Sequence, residues 1–413
     1  MSVKILSINP ERFLEDFNAL AQIGATGDGG VNRPTFSEAH LAARKWFGER
    51  AAEAGLEVHV DGAGNHSAIL RKEGASKSIL LGSHLDSVPN GGRFDGALGV
   101  VSALEVLRTI KESGLELPVN LEAIDFTDEE SSLIQFMGSH ALLGLLTPAI
   151  LRSPHGGRTA LLEGLNRAGL TEDGLLSSRR DPDTIAGYLE LHIEQSRKLE
   201  NADIQIGIVT GIVGIYSFRL SFYGRADHSG TTPMEARADA GLGASSFVIA
   251  SRDIIMRQFP DCVANVGNME FRPGVSNVVP KQVDVLLEIR SVDGERLNAL
   301  KSAIMDQAQH DAEQFDLDLK VQTLGGSEPA SMSLCAQAAI RSSAEALGLR
   351  HMSISSGAGH DAQLLSRITP TGMIFVPSIG GVSHSPVEFT EWEDCVNGAN
   401  VLLGATLRLV GKE

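Results

Sequence analysis

Two apolar runs, each followed at once by a polar loop, constrain the fold of this 413-residue chain more than any other feature. Ser78–Leu81 has the length and composition of a buried strand, and the Gly, Pro and Asn residues after it cannot extend a sheet. Val119–Phe126 is the next strand, and a helical pattern that starts near Asp95 lies between the two runs. The order strand, helix, strand predicts parallel strands joined by a right-handed crossover. The loops after both strands should therefore lie on the same edge of one sheet, which is where open α/β sheets bind ligands.

Each of these loops carries side chains that can bind metal ions. His84 and Asp95 stand in the first loop, and Glu129 and Glu130 open the second. A His-x-Asp pair alone is more often a hydrogen-bonded surface pair, so a metal site needs further ligands from elsewhere in the chain. If strand geometry persists into the second loop, successive side chains alternate in direction. Glu129 and Glu130 then face different groups, so that one can bind metal while the other faces a substrate.

Two more histidines lie on or after predicted strands. Tyr188–Glu194 alternates strictly between apolar and ionisable residues, with Glu190 and His192 on the polar face. A solvated sheet edge and a functional site explain that polar face equally well. His384 stands in a turn-rich loop after a short apolar strand at Met373–Val376. Both histidines can join the loop ligands at the same edge of the sheet.

The length and the order of the remaining elements predict two domains. A single hydrophobic core usually stops growing at about 250 to 300 residues. From Gly211 the pattern reads strand, helix, strand, strand, helix, strand, which is the ferredoxin-like unit. The predicted fold is an α/β domain with a mixed sheet flanked by helices, built from residues 1–210 and 326–413. A ferredoxin-like α+β domain is inserted at residues 211–325.

Composition excludes several classes of partner. The chain has a formal net charge of -17 and no cluster of Lys and Arg, so nucleic acid and anionic membranes are poor partners. Its cysteines, Cys262, Cys335 and Cys395, are too far apart for a Cys-x-x-Cys zinc site or a disulfide framework. The N-terminal segment lacks the apolar core of a signal peptide, and no run of about 18 apolar residues occurs. We expect a cytoplasmic protein.

The potential ligands are of a kind that selects certain metals. Imidazole and carboxylate without thiolate favour zinc, manganese, cobalt or nickel over calcium or copper(I). Five such ligands exceed the needs of one catalytic ion and suit a site for two. They are His84, Asp95, Glu130, His192 and His384.

Seven segments, spread in order over nearly the whole chain, resemble a known family. The family is that of the dinuclear metal amidohydrolases, which includes N-carbamoyl-L-amino acid amidohydrolase, allantoate amidohydrolase and β-ureidopropionase. It is related to the aminoacylases and zinc carboxypeptidases. The matching segments are GSHLDSVPNGGRFDGALGV, FTDEE, ELHIEQ, GRADHSGTTPM, SNVVP, SGAGHDA and GVSHSP.

This resemblance implies a division of the ligands between two ions. His84, Asp95 and His192 would hold one ion. Asp95, Glu130 and His384 would hold the other, so that Asp95 is the bridge. Zinc is the ion that we expect first.

The resemblance also implies two carboxylates that act beside the ions. Glu129 resembles the general base of the family, which takes a proton from the attacking water and returns it to the departing nitrogen. A solvated neighbour of a true ligand is the simpler alternative. Asp86 resembles the carboxylate that orients an imidazole ligand, and its alternative role is an Asx turn that caps its own loop.

Four residues match the positions at which the family contacts substrate. His228 can donate to the developing oxyanion, and Arg290 can hold a carboxylate with two parallel hydrogen bonds. Asn277 and Gln195 are the other two. In the family the contacts from the inserted domain reach the active site of a partner subunit, which implies a homodimer. Without the resemblance, a surface ion pair for Arg290 and a turn cap for His228 are the simpler interpretations.

The glycines of SGAGHDA also match the family. Gly357 and Gly359 let backbone amides approach a ligand closely. His360 and Asp361 belong to the same segment, but packing of that loop explains them as well as a ligand role does. We assign them no such role.

One segment departs from the family pattern. In the carbamoyl-cleaving branch the paired glutamates are followed by Gly-x-Arg-Phe, whereas Ser131–Ile134 follows them here. The ligands survive this change, but the segment borders the expected binding cleft. The substrate is therefore less well defined than the chemistry.

We expect a hydrolase that cleaves the C–N bond of a linear ureido or amide substrate with a nearby carboxylate. An N-carbamoyl-L-amino acid would give the L-amino acid, CO2 and ammonia. Allantoate or ureidoglycolate is the close alternative, and a dipeptidase or N-acyl aminoacylase is a weaker one. A non-catalytic binding protein on the same fold is an alternative of another class, but such a protein should have lost ligands or the base.

Overall fold

The computed structural model describes residues 6–411. The outermost ends of the predicted domains and the start of the N-terminal segment fall on residues 1–5 and 412–413, which lie outside the described residues. The described chain divides into two compact units. The first comprises the chain up to Thr210, Ser331–Ser356, and the residues from His360 onward. The second comprises Gly211–Ala330 and Gly357–Gly359.

The helices begin where capping residues allow it. Ser37 accepts a hydrogen bond from the His40 backbone N–H ahead of the second helix, and Asp239 and Asp293 do the same for the two long helices of the second unit. The helices are α1 (Pro10–Gln22), α2 (Glu38–Glu53), α3 (Ala97–Ser113), α4 (Met137–Leu143), α5 (Pro148–Arg152), α6 (Arg158–Ala168), α7 (Glu172–Ser177), α8 (Lys198–Ala202), α9 (Ala240–Gln258), α10 (Gly294–Gln314), α11 (Leu334–Ala346), α12 (Asp361–Leu365) and α13 (Trp392–Leu409).

The strands form two sheets, one in each unit. They are β1 (Glu57–Val60), β2 (His66–Leu70), β3 (Ser78–His84), β4 (Asn120–Phe126), β5 (Ile185–Ile193), β6 (Ile206–Ile212), β7 (Gly214–Tyr223), β8 (Val263–Arg272), β9 (Gln282–Ser291), β10 (Asp318–Ser327), β11 (Ala330–Ser331), β12 (His351–Ser356) and β13 (Thr371–Val376).

The larger sheet is mixed and runs in the order β1-β2-β4-β3-β5-β13-β6-β11, with β12 paired to β6. Strands β4, β3, β5 and β13 are parallel to one another, as the strand-helix-strand order predicts for β3 and β4. Helices α3 and α13 pack against this parallel centre, and their apolar residues fill the main core. The expected class, a mixed sheet flanked by helices, is confirmed.

Strand β5 lies between β3 and β13, in the middle of the sheet. Glu190 and His192 on its polar face are buried, and so are Leu189 and Leu191 on the other face. The interpretation of this polar face as a solvated edge is therefore wrong. Buried ionisable groups in a central strand need partners, and they have them in the site described below.

The smaller sheet is antiparallel in the order β10-β7-β9-β8. Helices α9 and α10 pack on it with the apolar residues of β7 and β9. The chain order of these elements is β7, α9, β8, β9, α10, β10, which is the expected ferredoxin-like unit. Strand β8 is an edge strand, and most of its residues are exposed.

The sequence analysis missed several short elements. Strand β2 has only five residues and pairs antiparallel with β4, which inserts it between β1 and β4. The helices α4 to α7, which follow the loop of Glu129 and Glu130, pack around a small separate apolar cluster. Elements this short carry too few periods of the hydrophobic pattern to be recognised. Across residues 6–411, no helix combines the length and the apolar character needed to cross a membrane.

Candidate metal centre

Two buried histidines come from the carboxyl ends of parallel strands. His84 is the last residue of β3, and His192 lies near the end of β5. The Nδ1 atom of His84 lies 3.0 Å from the backbone oxygen of Asp86, and that of His192 lies 2.9 Å from the backbone oxygen of Ile193. A carbonyl oxygen only accepts, so each Nδ1 carries a hydrogen and each Nε2 carries a lone pair in the neutral ring. The backbone N–H of Gly96 donates to Nε2 of His192 at 3.3 Å, and the Nε2 atoms of both histidines lie close to Asp95.

Asp95 lies between the histidines, just before α3. Its Oδ1 lies 3.1 Å from Nε2 of His192 and 3.5 Å from Nε2 of His84. Gly96, with φ of 62°, begins the helix at this point, and a Cβ there would stand 2.4 Å from the His84 ring. Only glycine combines that backbone conformation with such a close approach. The turn therefore delivers the carboxylate to both imidazoles.

The other oxygen of Asp95 faces a different set of groups. Its Oδ2 lies 3.5 Å from Nε2 of His384, and the same nitrogen lies 3.4 Å from Oε2 of Glu130. His384 is 49% exposed, whereas Asp95 and Glu130 are largely buried. The two oxygens of one carboxylate thus serve two groups of potential ligands, which is the geometry of a bridging carboxylate.

Glu129 and Glu130 reach different imidazoles, although not because a strand continues. Strand β4 ends at Phe126, and Asp128 has φ of 58°, so the chain turns before the glutamates. Oε2 of Glu129 lies 3.6 Å from Nε2 of His84. The expected divergence of the two side chains is therefore present, but a turn produces it.

The carboxylate of Asp86 has a different role from the one expected. It lies 3.9 Å from Nδ1 of His84, too far for a hydrogen bond, and the backbone oxygen of Asp86 orients that imidazole instead. The carboxylate accepts the backbone N–H groups of Glu129 and Glu130, at 3.3 and 3.2 Å. Its Oδ2 also lies 3.2 Å from Oγ1 of Thr35. Asp86 therefore fixes the loop of the two glutamates.

The electrostatics of this cluster favour added positive charge. Burial lowers the pKa of His84, but Glu129, Asp95 and Asp86 outweigh it and raise that pKa well above 6.5. The pKa of Asp95 is lowered well below its usual value, because the two histidines outweigh the effect of burial. Burial, followed by nearby carboxylates, raises the pKa of Glu129 and of Glu130 well above 4.5. Three carboxylates, those of Asp95, Glu129 and Glu130, thus lie within 3.6 Å of imidazole nitrogens.

The donor atoms fit two divalent cations. In each of two groups the candidate atoms all lie within 4.8 Å of one another, and Asp95 belongs to both groups. Imidazole Nε2 lone pairs directed at a shared carboxylate repel it unless a cation or a proton lies between them. The two groups are His84, Asp95 and His192, and Asp95, Glu130 and His384.

A third group of potential ligands lies behind His192, and its members already have partners. It consists of Glu190, His192 and His360. Glu190 accepts hydrogen bonds from Ser83 Oγ, the Tyr188 hydroxyl and the Ala362 backbone N–H, at 2.7, 3.1 and 3.1 Å. The ring of His360 packs edge-on against His192, with centroids 4.5 Å apart. Glu190 and His360 therefore pack beside His192 and are not needed as further metal ligands.

Gln195 lies beside the bridging carboxylate. Its φ is 59°, and its backbone N–H donates to Ser378 Oγ at 2.9 Å. Its Nε2 donates to Oδ2 of Asp95 at 2.8 Å. The Oε1 atom is buried and has no hydrogen-bond partner among the described residues. An open acceptor next to the cluster suits a residue that contacts a ligand.

The remaining predicted contacts lie in the second unit. Nδ1 of His228 accepts the Gly230 backbone N–H at 3.0 Å, which is the turn cap of the simpler interpretation. The backbone oxygen of Asn277 accepts the Ser229 N–H at 3.2 Å, so the loops of His228 and Asn277 are adjacent. Both side chains are exposed.

Arg290 is already engaged in the second unit. Its Nε donates to Glu288 at 2.8 Å, and its Nη1 donates to the backbone oxygen of Gly357 at 2.6 Å. The ion pair of the simpler interpretation is therefore present. Gly359 stands two residues beyond Gly357 in the same short stretch of this unit.

Two residues at the centre were missed by the sequence analysis. Glu388 is buried and accepts the backbone N–H groups of Phe94 and Asp95, at 2.9 and 3.0 Å. Ser383 Oγ lies 2.8 Å from Asp95 Oδ2 and 3.0 Å from Glu388 Oε2. Ser383 lies in the segment GVSHSP that was already assigned to the site, and Glu388 lies two residues after that segment ends.

A family model matches most of the chain. The model of peptidase family M20/M25/M40 matches residues 80–408, which is most of the chain. The chain belongs to peptidase family M20/M25/M40. Family M20/M25/M40 is metal-dependent, and its members are hydrolases of amide C–N bonds. The enzyme class expected from the motifs is thereby confirmed.

Within family M20/M25/M40, the chain is similar to amidohydrolases that cover nearly its whole length. The N-carbamoyl-L-amino acid amidohydrolase of Geobacillus stearothermophilus is 38% identical over 411 residues, which cover 98% of this chain and 100% of the relative. The ureidoglycolate hydrolase of Arabidopsis thaliana is 32% identical over 413 residues, with 96% and 86% covered. A solved amidase of the hydantoinase/carbamoylase family from Burkholderia multivorans has a TM-score of 0.89 at 34% identity, with 98% of both chains covered. The expected kinship with these amidohydrolases is confirmed.

The segment that follows the two glutamates, Ser131–Ile134, is anchored by one carboxylate. Asp128 accepts the backbone N–H groups of Ser132, Leu133 and Ile134, at 2.8, 2.9 and 2.5 Å. It also accepts the Thr35 hydroxyl at 2.7 Å. The carboxylate of Asp128, the residue before the two glutamates, thus fixes the backbone that follows them.

Proposed function

We propose that this chain hydrolyses the C–N bond of a ureido group on a small substrate that bears a carboxylate. The first candidate is an N-carbamoyl-L-amino acid, which gives the L-amino acid, CO2 and ammonia. The observation that carries the proposal is Asp95, whose two oxygens face two groups of imidazole and carboxylate donors. The Geobacillus stearothermophilus relative, matched over its full length, supports this substrate class.

In this proposal the site holds two divalent ions, zinc first, with manganese, cobalt or nickel as alternatives. His84, Asp95 and His192 hold one ion, and Asp95, Glu130 and His384 hold the other. Such ions polarise the scissile carbonyl and lower the pKa of water at the site.

Glu129 is the proposed general base. Its carboxylate lies beside the Nε2 atom of His84, next to both groups of donors, and it is buried. It takes a proton from the attacking water and transfers it to the departing nitrogen, which leaves as the amine or as ammonia.

The polar contacts to substrate are proposed from both units. Gln195, with its open Oε1, contacts the ligand beside Asp95. Arg290 releases the carboxylate of Glu288 and binds the carboxylate of the substrate in its place. His228 donates to the developing oxyanion. Asn277 and the backbone amides near Gly357 and Gly359 complete the set.

A homodimer is part of the proposal, with the contacts of the second unit serving the active site of the partner. Strand β8 is an edge strand, which leaves a row of backbone groups free to pair with another strand. Ile249 and Met256 on the neighbouring helix α9 are 67% and 64% exposed. Large apolar side chains of this kind, beside a free edge, suit an interface between subunits.

Ureidoglycolate or allantoate is the second candidate substrate. The Arabidopsis thaliana relative and the altered segment after Glu130 favour it. Dipeptides and N-acyl amino acids are weaker candidates. A non-catalytic binding role is the least supported, because the ligands and Glu129 are all present.

The test is a panel assay of the purified, metal-depleted chain after addition of zinc, manganese, cobalt or nickel. The substrates are several N-carbamoyl-L-amino acids, allantoate, ureidoglycolate, dipeptides and N-acyl amino acids. Release of ammonia and of the free amine are measured separately. We expect the highest kcat/KM with an N-carbamoyl-L-amino acid.

Glu129→Gln serves as the control, because it reveals any contaminating hydrolase. Turnover of dipeptides alone would contradict the ureido assignment. Equal rates for the parent and the control on every substrate would support the binding role instead.

A further inference from the structure

The backbone around the bridging aspartate is held by a residue distant in sequence. Oε1 of Glu388 accepts the N–H groups of Phe94 and Asp95, at 2.9 and 3.0 Å. Glu388 is buried, so these bonds are not in competition with bulk water. One carboxylate oxygen therefore fixes two consecutive peptide groups at the residue that faces both groups of donors.

The loop itself is shaped to receive this carboxylate. A Cβ at Gly92 would stand 2.0 Å from the carboxyl carbon of Glu388, closer than any two such atoms approach. The glycine thus leaves the space that the carboxylate occupies. Backbone bonds and available space independently indicate the same pairing of loop and carboxylate.

The second oxygen of Glu388 reaches the side chain of the bridge through one hydroxyl. Ser383 Oγ lies 3.0 Å from Glu388 Oε2 and 2.8 Å from Asp95 Oδ2. Gln195 Nε2 also donates to that Asp95 oxygen, at 2.8 Å. Asp95 is therefore held at its backbone by Glu388 and at its side chain by Ser383 and Gln195.

We propose that Glu388 is a positioning residue, which sets the orientation of the Asp95 carboxylate by clamping its backbone and by holding Ser383 against Oδ2. This inference rests on the proposed role of Asp95 as a metal ligand. Groups that hold metal ligands in this way are typically worth about 10- to 100-fold in metal affinity. Glu388 acts by accepting hydrogen bonds, and the oxygen of a glutamine amide can accept the same bonds.

The test measures binding of cobalt(II) alone to metal-depleted protein, by competition with a chromophoric chelator and by visible absorption of the bound ion. Glu388→Ala should weaken cobalt affinity by about 10- to 100-fold and alter the absorption spectrum. Glu388→Gln should stay within about threefold of the parent, because its Oε1 accepts the same two N–H groups. Rescue by the amide separates positioning from charge.

Asp239→Ala is the matched control. Asp239 is also a buried carboxylate that accepts two backbone N–H groups, from Gly241 and Leu242, but it caps α9 in the second unit. Its loss should lower the melting temperature without changing cobalt affinity. A general loss of stability would therefore not mimic the expected effect.

Ser383→Ala keeps the proposal testable if Glu388→Ala does not fold. Ser383 is half-buried in a loop, and its loss should weaken cobalt binding by about threefold or more while Glu388→Gln does not. Parent affinity in both Glu388→Ala and Ser383→Ala would overturn the inference. Equal weakening in Glu388→Gln and Glu388→Ala would overturn it too, since charge would then matter. If no ureido substrate is turned over but Glu388→Ala still weakens cobalt binding, the proposed function fails and this inference stands.

Discussion

Nε2 of His84 lies 3.6 Å from Oε2 of Glu129 and 3.5 Å from Oδ1 of Asp95. The register of the sheet explains this meeting, because His84 pairs with Phe126 across the parallel strands β3 and β4. The residues that follow the two strand ends must then be neighbours. A proton acceptor is thereby placed beside a potential metal ligand without blocking its lone pair.

Replacement of Glu129 by Gln should abolish most turnover and leave the metals bound. The amide is similar in size but cannot accept the proton, and a general base typically contributes about 10² to 10⁴ in rate. The measurement is kcat for the best substrate, together with metal analysis of the same preparation. A kcat within about threefold of the parent, with metals retained, would remove Glu129 from the role of base.

Asp95→Ala and His384→Ala should differ in the metal that they lose. Asp95 faces both groups of donors, whereas His384 faces only one of them. Metal analysis after saturation and desalting should give close to two ions per chain for the parent. We expect partial occupancy of one position in His384→Ala and impaired binding at both in Asp95→Ala. Similar occupancy in the two variants would argue against the bridge.

The edge of the sheet at which the ligands meet could be predicted because it depends on local patterns. Apolar runs reveal β3 and β4, the helix between them makes these strands parallel, and their ends bring His84 and Glu129 together. Likewise, the alternation along β5 reveals that His192 shares a face with Glu190. Each step uses neighbours in sequence or a rule of chain topology.

The groups that hold the ligands could not be predicted in the same way. Glu388 lies 293 residues from Asp95 and accepts backbone N–H groups. Every residue except proline has such a group, so the residue types do not reveal which of them Glu388 will bind. The carboxylate of Asp86 similarly accepts the N–H groups of Glu129 and Glu130 rather than bonding His84. Such partners depend on the exact path of a loop, and a spacing in sequence does not encode that path.

The pKa shifts predict how the stability of the metal-free protein changes with pH. In the metal-free protein, carboxylates outweigh burial and raise the pKa of His84 well above 6.5 and that of His192 above it. Above about pH 6.5 the folded state then holds protons that the unfolded state has lost. The stability that these groups contribute is fully present below about pH 6.5 and is lost as the pH rises through their folded pKa values.

The measurement is the melting temperature from pH 6.5 to 8, with and without cobalt. We expect the melting temperature of the metal-free protein to fall with rising pH. The increase in melting temperature caused by cobalt should become larger with rising pH, because the metal competes with protons for the same ligands. Burial raises the pKa of Asp128 and of Glu388 to about 7, which acts in the same direction. His40 and His360, whose pKa values burial lowers, act in the opposite direction near pH 6.5, because their imidazoles still hold part of their protons in the unfolded state and none in the folded state. A metal-free melting temperature that rises over this range would contradict the assignment.

Arg290→Lys should lower kcat/KM although it keeps the charge. The guanidinium can offer two parallel hydrogen bonds to a carboxylate, whereas an ammonium is a point charge. In this structure the Nε and Nη2 atoms of Arg290 both contact Oε1 of Glu288. We expect a loss of about tenfold or more for a carboxylate-bearing substrate. Arg272→Lys is the matched control, because Arg272 lies on the neighbouring strand β8 and pairs with Glu270 two residues earlier. Equal effects of the two substitutions would indicate a structural role for Arg290.

Mixing two inactive variants tests whether subunits share their sites. Arg290→Ala lacks the proposed carboxylate contact, and Glu129→Gln lacks the proposed base. If Arg290 serves the partner, subunit exchange produces heterodimers in which one site keeps both wild-type residues and the other keeps neither. Activity should then recover towards about half of the parent rate per heterodimer, since one of its two sites is intact. Mass measurement must establish that heterodimers have formed. Their failure to recover activity would show that each chain builds its own site, and Arg290 would then have to act within its own subunit or not at all.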